Sequence, residues 1–162
     1  MHITKLVATG TLALLFASCG SNPDAGEMRA GKWQVYVGIT EFDVPGATDE
    51  QKKVLEGTKG EVLSGEQCYS EEQAKAGVAT LTKEFEQGNE CKMGDFANAG
   101  EQVTGTLTCT MDGGIETDLA ITGSIASDKF RLEMDTEFIQ DDLPNGKANM
   151  SMEVVGERLG DC

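Results

Sequence analysis

The stretch QVTGTLTCTMDGGIETDLAITGSIASDKFRLEMDTEF, residues 102–138, decides the fold. Its first part alternates Val103, Leu107, Cys109 and Met111 with Thr104, Thr106, Thr108 and Thr110, the period-two pattern of a strand with one buried face. Asp112, Gly113 and Gly114 supply a turn, after which Leu119, Ile121 and Ile125 form a second inward row. Ser127 and Asp128 turn the chain again, into Phe130, Leu132, Met134 and Phe138. Amphipathic strands that follow one another through short turns form an antiparallel meander, with one face on a core and the other in water.

The pattern extends in both directions. Downstream, the loop DDLPNG at 141–146 returns the chain through Ala148, Met150, Met152 and Val154. Upstream, Cys91 and Cys109 lie symmetrically about Gly100 in a segment that reads as strand, turn, strand. Earlier still, GKWQVYVGITEF at 31–42 places Trp33, Val35, Val37 and Ile39 on one face, and residues 61–68 can form a further strand with weaker alternation. Two capping boxes mark helices. Thr48 with Gln51 opens a short helix running through Glu56, which Gly57 terminates. Ser70 with Gln73 opens a longer one, with Glu71 and Glu72 at its positive dipole end, Ala74, Val78, Leu81 and Phe85 at helical spacing, and Gly88 as its end. The expected architecture is mainly β (α+β): a curved antiparallel meander sheet or partly open barrel, with one packed helix, one short helix and two disulfides.

Ahead of this domain lies an export signal. Lys5 precedes an apolar run, residues 6–16, that is too short for a spanning helix of about 20 residues. The run ends in Leu15, Phe16, Ala17, Ser18, Cys19 and Gly20, which resembles the bacterial lipobox with Phe16 where leucine is usual. The reading is a signal peptide at 1–18, an acylated Cys19, a flexible tether at 19–30 and a single domain at 31–162. Gly20 in place of aspartate predicts sorting to the outer membrane, facing the periplasm. The bilayer, reached through acylated Cys19, is thus the first expected partner.

Charge narrows the others. The chain carries 28 Asp+Glu against 13 Lys+Arg, a net −15 that becomes −16 once Lys5 leaves with the signal. Such a surface repels nucleic acid and attracts cationic proteins or metal ions. An apolar content of 39% spread along the chain is enough for a packed core.

The cysteines fit an oxidising envelope. Setting Cys19 aside leaves Cys68, Cys91, Cys109 and Cys162, an even set with three possible pairings. The hairpin reading favours Cys91 with Cys109, which leaves Cys68 to pair with the terminal Cys162.

A search for chemistry finds little. The single histidine, His2, belongs to the signal, so Ser-His and Cys-His nucleophile systems have no base in the mature chain. No phosphate-binding loop or dinucleotide fingerprint occurs. A carboxylate hydrolase would need two acids converging in a cleft. The acidic loops at 112–118 and 141–145 lack EF-hand spacing and read as solvated turns. Met134, Met150 and Met152 share a face and offer thioethers suited to Cu(I), although methionine is a routine filler of apolar cores and that is the favoured reading. No cofactor is implied. A sheet lined by such residues and closed by a helix can also enclose an apolar ligand, given a cavity of at least about 300 Å³.

Several segments together resemble the bacterial domain-of-unknown-function 3617 family. They are Gly31-Lys32-Trp33, then Gln67-Cys68-Tyr69-Ser70-Glu71-Glu72, Cys91-Lys92, Cys109, and a terminal G-x-R-x-G-x-C formed by Gly156, Arg158, Gly160 and Cys162. The likeness runs from about Ala30 to the end. Tyr69 stands where a small aliphatic residue is common in the family, and methionines are fewer than in many relatives. The resemblance implies an exported, mainly β envelope protein and implies no activity or site residues. The functional expectation is a non-catalytic binding module for an apolar small ligand or a protein partner. An inhibitor-like module that captures a cationic envelope hydrolase is the alternative, and a carboxylate-based hydrolase ranks below both.

Overall fold

The computed structural model of the chain describes residues 24–86, 90–110 and 116–162. The signal peptide, Cys19, Met111, the Asp112-Gly113-Gly114 turn and the helix end at Gly88 lie outside the described residues. The elements in order are β1 (Gly31–Asp43), α1 (Asp49–Glu56), β2 (Gly60–Tyr69), α2 (Glu71–Ala76), α3 (Val78–Glu86), β3 (Glu90–Ala99), β4 (Gln102–Thr110), β5 (Glu116–Ile125), β6 (Lys129–Ile139) and β7 (Lys147–Gly160). The seven strands form one antiparallel sheet in the order β2-β1-β7-β6-β5-β4-β3. β3 to β7 is the expected meander, and the opening strand joins it by pairing with the last. β2 and β3 are the two edges of this open sheet, and the α2–α3 pair links one to the other.

Alternation in sequence becomes alternation of burial. On β6, Phe130, Leu132, Met134 and Thr136 are buried, whereas Lys129, Arg131, Glu133 and Asp135 are exposed. Because the period is two, a slip of one residue would turn this whole set outward, so the buried face fixes the register. The main core gathers Trp33, Tyr69, Phe130, Leu107, Ile121 and Leu132 on one face of the sheet, with Leu81 of α3 packed among them. Trp33 stacks on Phe130 at 5.5 Å between ring centroids and meets Tyr69 edge-on at 6.3 Å. These are the offset and T-shaped geometries that aromatic quadrupoles favour. Tyr69 therefore fills part of the core as a third ring. Gly156 lies beneath Phe130, where a Cβ would come within 2.2 Å of the ring. A smaller cluster of Val44, Ala47 and Ala148, flanked by Leu55 of α1, closes the far end of the sheet.

Both capping boxes form, at Thr48/Gln51 and at Ser70/Gln73. The longer helix differs from expectation, because it breaks at Gly77 into α2 and α3. Gly77 sits at φ +54, a conformation that L side chains rarely adopt, and a Cβ there would come within 3.0 Å of the Gly26 carbonyl oxygen. The break lets the entering chain pack against the helical pair. Met28 is buried, its N–H donating to the Ala74 carbonyl, and Arg29 N–H donates to Ser127. Packed structure thus begins a few residues ahead of Gly31.

Candidate functional site

A shallow groove lies on the outer face of the sheet, and its origin lies in β1. Trp33 and Val35 point into the core, so Tyr36 points outward. There it sits opposite Val155 of β7 and Ser64 of β2. A β-bulge between Val37 and Gly38 then skips one residue of β2. Bulges sharpen local twist and re-aim side chains. Gly38, having no side chain, leaves a gap between Tyr36 and Thr40, and β2 reaches only as far as Gly60 opposite Ile39. The result is an open concavity of about 400 Å³ lined by Tyr36, Gly38, Thr40, Gly60, Glu153 and Val155, among others.

Its floor is mainly apolar, and its lining includes one carboxylate, Glu153. Tyr36 is 41% exposed and stands beside Val155 on the outer face. Glu153 pairs with Arg131 and lies directly across from Glu133 on β6. Thr40 donates its hydroxyl to the Ser151 carbonyl at 3.2 Å, so that side of the groove is held in place. On the core face, by contrast, a space bounded by Val35, Val37, Leu63, Leu81 and Val154 measures about 90 Å³. That is well below the 300 Å³ or so needed to enclose a drug-sized ligand.

The cysteines pair as Cys91–Cys109 and Cys68–Cys162. The first pair lies directly opposite across β3 and β4, with Cα atoms 3.9 Å apart. The second is a strap. Lys32 on β1 is flanked by Cys68 on β2 and Gly160 on β7, so the last two residues must cross β1 to reach Cys68. Arg158 holds that crossing. Its side chain is 13% exposed, its Nε–H donates to the Ala30 carbonyl at 2.9 Å, and its outer nitrogen pairs with Asp161. Gly31 and Gly160 meet beside it, where a Cβ on Gly31 would come within 2.2 Å of the Gly160 oxygen and 2.7 Å of the guanidinium. The terminal glycines, arginine and cysteine thus form one clasp that ties the entering chain, the last strand and an edge strand together.

Residues 28–162 match a family model described as Protein of unknown function (DUF3617). The chain belongs to this family. No curated protein and no solved structure matches it. The clasp gives the DUF3617 terminal motif a structural role in this chain. Met134 and Met152 are direct cross-strand neighbours, with Met150 opposite Thr136, and Met134 is fully buried in the core. No cluster of three or more His, Cys, Asp or Glu side chains is placed to hold a metal ion among the described residues. The sequence reading did not single out the groove. Its signal was present in Tyr36-Val37-Gly38, an aromatic followed by a glycine at the outward positions of a strand.

Proposed function

We propose that this chain is an envelope lipoprotein, acylated at Cys19 and held at the outer membrane facing the periplasm, whose domain is a non-catalytic module that binds a cationic protein partner. The supporting observation is the placement of the concavities. The larger one is open and mainly apolar, with the carboxylate of Glu153 at its edge, on the outside of a sheet in a chain of net charge −15. The one on the core side is too small for a lipid or similar ligand. An exposed aromatic in a shallow pocket is the kind of anchor on which protein interfaces concentrate their energy, and complementary charge speeds encounter. Inhibition of an envelope hydrolase is the case in which that partner is a cationic enzyme.

The test uses the mature domain and a synthetic peptide of alternating lysine and leucine, titrated by calorimetry and by NMR shift mapping. At low salt the peptide binds with shifts centred on Tyr36 and Val155, and binding weakens as salt is added. Tyr36→Ala reduces affinity roughly five- to thirtyfold, the loss of a hot-spot side chain worth about 1–2 kcal/mol. Absence of binding at low salt overturns the proposal, as does binding that Tyr36→Ala leaves unchanged.

A further inference from the structure

We infer that the outer edge of β2 takes up the partner as an added β-strand, an extended segment that alternates aliphatic and cationic residues and seats one aliphatic side chain in a notch at Gly65. The inference rests on the cationic partner proposed above and specifies how the domain holds it.

The sheet has two edges, and they differ. β3 is broken by a register shift between Met93 and Phe96 and carries Lys92 and Asp95 around it. Bulges and charges of that kind keep an edge from pairing further. β2 has less of both. Its own register shift lies beyond Leu63, and from Leu63 to Tyr69 it pairs with β1 residue for residue, with no proline and with Glu66 as the only charge. Among the described residues β2 has a strand neighbour, β1, on one side only. The Cys68–Cys162 strap fixes one end of β2, so the edge is a preformed template and need not be ordered on binding.

The two faces of that edge call for different side chains. Leu63, Gly65 and Gln67 stand opposite Val37, Val35 and Trp33, so they share the core face. Leu63 is 65% exposed there. Gly65 leaves a gap beside it: a Cβ at this position would meet nothing within 4 Å, and the space of about 90 Å³ described above lies against it, walled by Val35, Leu81 and Val154. At about 30 Å³ per water, that is room for roughly three waters or for one branched aliphatic side chain. A strand added to β2 sets alternate side chains on this face. An aliphatic residue opposite Gly65 fills the notch, and the next residue on the same face covers Leu63.

The outer face offers the opposite chemistry. Glu66 lies there beside Gln34, its carboxylate paired with Lys32 on the β1 side. Tyr36 stands one strand in from the edge. An added strand runs about 10 Å from β1, near enough for a lysine or arginine to reach over β2 and set its charge against the Tyr36 ring. Cations on the outer face and aliphatics on the core face are the alternation of one extended segment. A second copy of this chain would bring its own net −15 to the same edge, and the two would repel.

The test uses the mature domain, the alternating lysine and leucine peptide, and two N-methylated versions of that peptide, one methylated at the leucine nitrogens and the other at the lysine nitrogens. In an added strand one set of amides faces β2 and the other faces away, so one version binds about tenfold or more weakly and the other stays within about threefold of the parent. Gly65→Val, whose side chain occupies the notch, weakens the parent peptide by about tenfold. Equal effects of the two methylations, with affinity still lost in Tyr36→Ala, overturn strand addition and leave the groove reading standing. Unchanged binding by Gly65→Val overturns the seat at Gly65. No binding at low salt overturns the cationic partner itself, and strand addition with it. A domain that sediments as a dimer until Gly65→Val is introduced gives the edge to a second copy and overturns the proposal as well.

Discussion

Gly156 shows how one missing side chain sets the core. Its Cα lies under the Phe130 ring, which is itself stacked on Trp33, so the ring has no free direction in which to yield. Gly156→Ala places a methyl group 2.2 Å from Phe130 Cε1, an overlap that only displacement of the aromatic stack relieves. Forced repacking of this kind costs about 1–3 kcal/mol, which urea denaturation of the mature domain measures as a lower midpoint at unchanged m-value. An unchanged midpoint means that the ring does not press on this glycine. Arg158 acts at the same scale by a different route. It is a nearly buried cation whose hydrogen bond to the Ala30 carbonyl fastens the N-terminal approach to the last strand. A Lys at that position keeps the charge but cannot present two donors in the fixed fork of a guanidinium.

At the level of elements, the clasp decides how firmly β2 stays in the sheet. β2 is an edge strand bonded on one side only, and its attachment is reinforced at one end by the Cys68–Cys162 strap. The bond closes a sequence interval of 94 residues, and its loss costs about 2–5 kcal/mol by constraint of the unfolded chain. Cys162→Ser is therefore expected to raise amide hydrogen exchange in Gly60–Tyr69 more than in β5 and β6, which are bonded on both sides. Uniform acceleration across the sheet indicates instead that the strap stabilises the fold only globally. The elements themselves were largely readable from sequence, because their causes are local. Ser70 and Gln73 announce a cap within four residues, and Phe130, Leu132 and Met134 announce a strand face within five. The break at Gly77 was not readable. Ala74, Val78 and Leu81 keep helical spacing across it, and its cause is the approach of Gly26, some fifty residues away. For the same reason the pairing of β1 with β7 was invisible: nothing in either strand names a partner more than a hundred residues distant. The groove depends on that pairing, since Tyr36 and Val155 share it only once the strands are side by side.

For the whole molecule, the balance of charge sets the response to salt. Residues 19–162 carry 12 cations for 28 acids, so at least 16 carboxylates have no counter-charge whatever the geometry. Six ion pairs are formed among the described residues, and in each at least one partner is substantially exposed. Pairs of that kind contribute about 0–1 kcal/mol each and are weakened by added ions. Self-repulsion of the uncompensated acids opposes the compact state and is weakened by the same ions. The repulsive set is larger and spread over the whole surface, so screening should relieve more than it removes. Raising the ionic strength from about 0.02 M to about 0.3 M shortens the screening length from roughly 20 Å to under 6 Å, and the melting temperature is expected to rise by a few degrees. Circular dichroism melts of the mature domain in sodium chloride measure this directly. A fall in melting temperature over the same range would mean that the Arg131–Glu153 and Lys32–Glu66 type of pairing outweighs the net charge, and that the acidic face is locally balanced where a cationic partner would have to bind. The sign of one melting curve therefore bears on both the stability of the domain and the electrostatic basis of its proposed recognition.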